Sequence, residues 1–383
     1  MRGVTLGIGA SVMRDLALNC INVLLLSILL TLAMERFAGR IGLVDIPAGR
    51  KNHHGEIPLV GSALFVAFAF AALLLERPPH GLPSFLLGLA LLVLLGLADD
   101  LLDLRASVKL VAQIACAALM VLPADVLVRN VGAVLGDEPV VLLSWAGPLT
   151  IIGIVGLINA INMLDGIDGL AGSVSLVAFL WFAAAAAMLG LRPELYFALL
   201  LGCCLIGFLG FNLRHYWRSR ASVFLGDAGS MMLGASLAYL AIRLSQQDQN
   251  GGEALSPVVV LWILALPVIE IISLTARRIA AGHSPFTGDR QHVHHILLQA
   301  GCSVNEAVSI LAGTAIVLGA IGLVGWHLGA PDWVLLLGLI CPVGLHAWFV
   351  QGGWKYVHRR SSRIATAGRA MEPPLLGSSR HRP

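Results

Sequence analysis

Charge is scarce in this chain of 383 residues: Asp, Glu, Lys and Arg make up 12% of it, about half the roughly 25% usual in a soluble domain. With 57% of residues hydrophobic and a mean hydropathy of +0.85, folding into a ball would leave apolar surface in water, so the bilayer must be the solvent. Cysteine pairing is also missing. The six cysteines, at 20, 116, 203, 204, 302 and 341, show no CxxC or Cys/His spacing and read as small apolar packing residues. No internal repeat of the kind that marks many transporters is visible. The first apolar run is long and has no small-residue cleavage site, so it reads as a helix rather than a removable signal. No stretch is left over for a soluble domain.

What the sequence has in quantity is apolar helix. A hydrocarbon core about 30 Å thick takes about 20 apolar residues per helix. Runs of that order fall at 17–35, 59–76, 82–98, 107–128, 147–163, 169–190, 194–212, 223–244, 257–275, 305–328 and 331–350. The expected fold is an all-α integral membrane protein of about eleven transmembrane helices. One polytopic domain covers 1–350, with loops at 36–58, 99–106, 213–222 and 276–304, and a basic, structureless tail follows at 351–383. Nineteen of the 25 Lys and Arg residues lie on one side of this alternation: Arg36, Arg40, Arg50, Lys51, Arg105, Lys109, Arg214, Arg218, Arg220, Arg277, Arg278, Arg290 and the seven of the tail. The positive-inside rule makes that side cytoplasmic, with the N-terminus outside and the C-terminus in the cytoplasm. Asp45, Asp99, Asp100, Asp103, Asp165, Asp168, Asp227 and Asp289 fall on the same side, which predicts a polar site at the cytoplasmic face.

Four stretches carry chemistry. Asp99-Asp100-Leu-Leu-Asp103 closes the third run; three carboxylates within one helical turn repel unless a cation or protonation relieves them, which suits metal- or phosphate-linked chemistry. Asn159-Ala-Ile-Asn162-Met-Leu-Asp165-Gly-Ile-Asp168-Gly169 closes the fifth, with Asp165 and Asp168 expected on one helical face, and intramembrane polar groups are expensive enough to mark function. Phe224-Leu-Gly226-Asp227-Ala-Gly229-Ser230 opens the eighth; its acid is either a helix N-cap or a carboxylate presented to Mg²⁺. The fourth stretch runs from Arg277-Arg278 through His283-Ser-Pro-Phe-Thr-Gly-Asp289-Arg290-Gln-His292-Val-His294-His295. Its guanidinium forks and imidazoles suit a diphosphate, while a transition-metal reading lacks matching Cys or carboxylate spacing. A secondary transporter is the rival of a different class, since intramembrane acids also mark ion paths, but such acids belong near mid-bilayer in symmetric halves.

Taken in order, Asp45-x-Pro47-x-x-Arg50-Lys51-x-His53-x-Gly55-x-x-Pro58-x-x-Gly61, the DDxxD, Lys109-Leu-x-x-Gln113, NxxNxxDGxDGL, Phe211-Asn212, GDxGS and Ser284-Pro-Phe-x-x-Asp289-Arg290-x-His292-x-His294-His295 form an ordered set. That set resembles the bacterial polyprenyl-phosphate N-acetylhexosamine-1-phosphate transferases of glycosyltransferase family 4, in the undecaprenyl-phosphate N-acetylglucosamine-1-phosphate branch and related to the lipid I synthase. The resemblance implies transfer of a sugar-1-phosphate from a UDP-sugar donor to undecaprenyl phosphate in the inner leaflet, with release of UMP. This is the initiating step of a cell-surface polysaccharide such as O-antigen. It further implies Mg²⁺, with Mn²⁺ as a possible substitute, a bacterial cytoplasmic membrane location among membrane lipids, no nucleic acid, and a homodimer. Carried over by position, Asp227 and Asn162 would hold the metal, and Asp99, Asp100 and Asp227 would be catalytic. Lys51, His53, Asp103, Lys109, Asp165, Asp168, Arg278, Asp289, Arg290, His292, His294 and His295 would bind substrates. Two departures, Ser62 for a usual Gly and Glu270 for a usual Asp, leave another UDP-N-acetylhexosamine or UDP-MurNAc-pentapeptide as alternative donors.

The acceptor limits what an acid can contribute. A phosphate monoester has a second pKa of about 6 and is mostly dianionic at neutral pH, so a general base has little proton to remove. Direct attack of the lipid phosphate on the donor is therefore expected, rather than an aspartyl phosphoenzyme, and so long a lipid calls for a lateral groove among the helices.

Overall fold

A computed structural model of the chain describes residues 10–45, 55–246, 254–282, 284 and 292–370. Every apolar run has become helical. In chain order the helices are α1 (Ala10–Ile41), α2 (Gly61–Leu73), α3 (Leu82–Leu102), α4 (Ala106–Val121), α5 (Ala146–Leu164), α6 (Leu170–Leu189), α7 (Arg192–Asn212), α8 (Gly226–Ser245), α9 (Pro257–Ile263), α10 (Ala265–Ala280), α11 (Val293–Ala300), α12 (Val304–His327), α13 (Asp332–Gly338) and α14 (Ile340–Ala370). A short antiparallel ribbon, β1 (Val44–Asp45) with β2 (Ile57–Pro58), is added to the all-α plan.

Among the described residues eight helices are long and apolar enough to cross a bilayer, and the bent pair of α9 and α10 makes a ninth if counted as one span. Helices α2 and α4 are apolar but short, at 13 and 16 residues; at 1.5 Å per residue they reach only about 20 and 24 Å. The sequence had extended them to 76 and 128, but Glu76, Arg77 and Pro78 follow the first and Pro123 stops the second, because proline has no N–H to continue the ladder. The run read as one straight helix at 257–275 bends by 80°. Pro267, in the first turn of α10, can donate nothing to the Ile263 carbonyl, and its ring crowds that turn. Pro342 stands just after the break between α13 and α14 in the same way. The tail expected to be structureless from 351 is helical as far as Ala370, since no proline occurs until Pro373.

Helix α8 is the central element. It is buried along almost its whole length, with α2, α3, α5 and α6 packed around it. Lipid gives apolar helices no reason to prefer one another to acyl chains, so such a stack is held by close approach of small residues. Gly96 of α3 illustrates this: a Cβ there would lie 2.3 Å from Ala228 Cα. Gly96→Ala must push α3 and α8 apart just below Asp99, Asp100 and Asp227, at an overpacking penalty of about 1–3 kcal/mol. We expect a lower midpoint of thermal unfolding in detergent and a parallel loss of activity. Gly153→Ala, where a Cβ meets open space, should change neither. The opposite end of α8 is locked by Arg243, whose guanidinium donates to Glu194 of α7 at 2.9 Å with both side chains largely buried.

Candidate active site

One end of the bundle gathers the end of α3, the start of α4, the end of α5 and the start of α8. The Lys109 ammonium of α4 lies 2.5 Å from Asp99 Oδ2 of α3 and 2.5 Å from Asp227 Oδ2 of α8. Asn162 of α5 donates to Asp227 Oδ1 at 2.7 Å and to Ser230 Oγ at 2.9 Å. Asp227 is thus the hub on which three other helices converge. Asp99 anchors itself by accepting the Leu104 N–H at 2.9 Å.

Asp227 is not the N-cap of α8, because Asp100 fills that role. The Asp100 carboxylate accepts the backbone N–H groups of Asp227 at 2.8 Å and Ala228 at 3.3 Å. A neighbouring span therefore supplies the cap that the first turn of α8 would otherwise lack, and the negative charge complements the helix dipole. Gly226 makes room for it with a φ of 68°. Relieved of capping, the Asp227 side chain points to Lys109 and Asn162. A carboxylate used this way is a positioning group. Asp100→Asn keeps an acceptor for one N–H, and we expect it to retain at least about a tenth of wild-type turnover; Asp100→Ala loses both bonds, costing about 1–2 kcal/mol and misplacing Asp227. Thermal unfolding alongside turnover checks this, and a general base at Asp100 would make the two variants equally dead.

Two expectations of shared helical faces fail for the same reason. Helix α3 ends at Leu102, and Asp103 adopts a left-handed C-cap with φ 49°, which swings it off the face of Asp99 and leaves it exposed. Helix α5 ends at Leu164, so Asp165 and Asp168 sit in a turn. Asp168 pairs with Arg214 at 2.7 Å and accepts the Ala221 N–H at 3.3 Å, pinning the 213–222 loop. Asp165 stays with the cluster: burial, then the charges of Asp227, Asp100 and Asp168, push its carboxyl up to about 8. That is what a carboxylate-rich site short of positive charge does.

The same turn meets the histidines. A Cβ on Gly166 would lie 2.4 Å from His294 Nε2, so the imidazole rests against the backbone one residue past Asp165. His294 is 1% exposed, stacked on His292 with centroids 5.3 Å apart, and 4.3 Å from the ring of His295. Burial, then the charges of His295 and His292, lower its pKa to about 2, which keeps it neutral. Neither ring nitrogen of His294 has a hydrogen-bond partner among the described residues. Arg278 is buried in the last turn of α10. Lys51, His53, Asp289 and Arg290 lie outside the described residues. The ribbon that brackets 46–56 is nonetheless tied beside α8, with Phe224 N–H donating to Pro58 O at 2.8 Å and Val60 N–H to Phe224 O at 2.9 Å.

Among the described residues no three of His, Cys, Asp and Glu come together as a metal cage. Mg²⁺ does not need one, since one or two carboxylates with phosphate oxygens and waters complete its octahedron. Asp227 and Asn162 offer such a partial set of hard donors. The surplus of Asp99, Asp100 and Asp227 over Lys109 favours a cation there.

The model of glycosyl transferase family 4 matches residues 82–245, the stretch from α3 to α8 that supplies Asp99, Asp100, Lys109, Asn162, Asp165 and Asp227. Over 360 residues the chain is 32% identical to the undecaprenyl-phosphate alpha-N-acetylglucosaminyl 1-phosphate transferase of Yersinia pestis, covering 91% of this chain and 96% of that protein. The chain belongs to glycosyl transferase family 4. The protein of the same name from Pasteurella multocida is also 32% identical, over 358 residues, 92% of this chain and 99% of that one; the one from Escherichia coli K12 is 28% identical over 368 residues, 93% and 97%. In this multi-pass family 4 transferase, sequence reasoning missed Ser230 as a partner of Asn162, although the GDxGS motif contained it, and gave Glu270 and His346 no role. A histidine inside an apolar run was the signal for the last, because such groups are rarely idle.

Proposed function

We propose that this transferase moves N-acetylglucosamine-1-phosphate from UDP-N-acetylglucosamine to undecaprenyl phosphate, releasing UMP, and so begins a cell-surface polysaccharide. The observation that carries the reading is Lys109 held between Asp99 and Asp227 with Asn162 alongside. Phosphoryl transfer is mostly positioning and charge neutralisation, and this arrangement provides both. The names of the relatives favour the same donor sugar and acceptor lipid. The basic loops favour the cytoplasmic face of the bacterial inner membrane, with α2, α4 and the bent pair completing eleven spans.

In this mechanism Asp99 and Asp227 fix the Lys109 ammonium, which neutralises phosphate charge. Asp227 and Asn162 would hold Mg²⁺, whose chemistry when bound is to neutralise the diphosphate. An oxygen of the dianionic lipid phosphate forms a bond to the donor's β-phosphorus while the bond from that phosphorus to the bridging oxygen breaks; the electron pair leaves with UMP. In this reading the neutral imidazole of His294, lying against Gly166, would hydrogen-bond donor phosphate or sugar.

The test is UMP release by the purified chain in detergent. Release from UDP-N-acetylglucosamine that requires both Mg²⁺ and undecaprenyl phosphate is the expected result. Release without lipid would replace direct attack by an aspartyl phosphoenzyme, and release only from another UDP-sugar would change the donor. No release from any UDP-sugar would overturn the proposal.

A further inference from the structure

Glu270 lies in the bent span rather than in any stretch tied to the chemistry above, yet it is 2% exposed. A carboxylate buried inside a span is costly unless several partners hold it. Glu270 Oε1 accepts the Val293 N–H at 3.0 Å and lies 3.3 Å from His292 Nδ1. Oε2 lies 3.3 Å from His346 Nε2 of α14. Val293 is the first residue of α11, and the N-cap residue, His292, makes no side-chain cap of its own. The carboxylate therefore caps α11 from another helix, at the positive end of its dipole. This is the device by which Asp100 caps α8, repeated on the helix that carries His294 and His295.

We infer that Glu270 is the positioning residue for the donor-side histidines: one buried carboxylate caps the start of α11 from α10, with His346 of α14 close against its other oxygen, and so holds His294, through His292, against the Asp165–Gly166 turn. The inference rests on the proposed reading in which these histidines meet the UDP-sugar. The chain of contact is continuous. Glu270 fixes Val293 and His292, the His292 ring stacks on His294 at an interplanar angle of 11°, and His294 abuts Gly166. None of these links touches Asp99, Asp227, Lys109 or Asn162. Loss of Glu270 should therefore loosen donor binding and spare the acceptor and the chemical step.

The experiment compares wild type, Glu270→Gln and His346→Gln as full-length chains in detergent, with thermal unfolding beside the kinetics of UMP release. Glu270→Gln keeps an acceptor for Val293 but removes the charge, and His346→Gln weakens the same carboxylate from behind. Removing one charge-assisted contact should raise the KM for the UDP-sugar by about tenfold in Glu270→Gln and less in His346→Gln. The KM for undecaprenyl phosphate, kcat and the unfolding midpoint should stay near wild type. An unchanged donor KM in folded protein overturns the inference, as does a rise in both KM values together with a lower unfolding midpoint, the mark of a purely structural carboxylate. If Glu270→Gln does not fold, His346→Gln alone decides on the same criteria. Inactive wild type with every UDP-sugar would instead sink the proposed function, so the two failures are distinguishable.

Discussion

Asp227→Ala should reduce kcat for UMP release by at least about a thousandfold, the upper range for removing one preorganised electrostatic group, while the protein stays folded. The loss is large because Asp227 is the shared partner of Lys109 and Asn162 and the carboxylate best placed to hold a cation against a diphosphate. The fold survives because each neighbour keeps a second partner: Lys109 remains 2.5 Å from Asp99 and Asn162 remains bonded to Ser230. The Asp100 cap of α8 uses backbone groups that alanine retains. Asp227→Asn should recover little, since it keeps a bond to Asn162 but not the charge. Single-turnover UMP release with matched thermal unfolding curves checks both parts.

Lys109→Met should lower kcat/KM by about a hundred- to a thousandfold and also destabilise the protein. Two carboxylates that both approach the same nitrogen at 2.5 Å would face each other with nothing between them. Asp99 and Lys109 are mostly buried and Asp227 is about a third exposed, so solvent screens the repulsion only in part. Removing one partner of such a group is more damaging than never having had the pair. Adding Asp99→Asn to Lys109→Met should restore part of the unfolding midpoint, a non-additive result expected of residues in direct contact. Lys109→Arg should rescue activity poorly, because a planar fork does not replace a compact ammonium held between two oxygens.

The sequence disclosed this site better than it disclosed the backbone that builds it. Asp99, Asp100, Lys109, Asn162, Asp165 and Asp227 could be picked out because acids and asparagines in apolar runs stand out against a background of 12% charge. Their division of labour was hidden. That Asp100 caps α8 depends on α3 and α8 approaching closely at Gly96, a tertiary fact with no local pattern. Asp103 and Asp168 were misjudged because periodicity assumes a helix that continues, whereas α3 and α5 end just before them. The 80° bend at Leu264 was readable from Pro267, since a proline three residues into a helix leaves an unpaired carbonyl behind it. Glu270 was noticed only as a departure from a family pattern; its work needs α10, α11 and α14 together, and α14 begins well beyond the other two in the chain.

The proposed transfer is tested by mass spectrometry of the lipid recovered after the purified chain is incubated with UDP-N-acetylglucosamine, Mg²⁺ and undecaprenyl phosphate. The expected product is undecaprenyl diphosphate carrying one N-acetylglucosamine, formed in equal amount with UMP and absent with Asp227→Ala. Recovery of undecaprenyl phosphate unchanged, or of a lipid bearing the sugar through a single phosphate with UDP released, would contradict the proposed transfer.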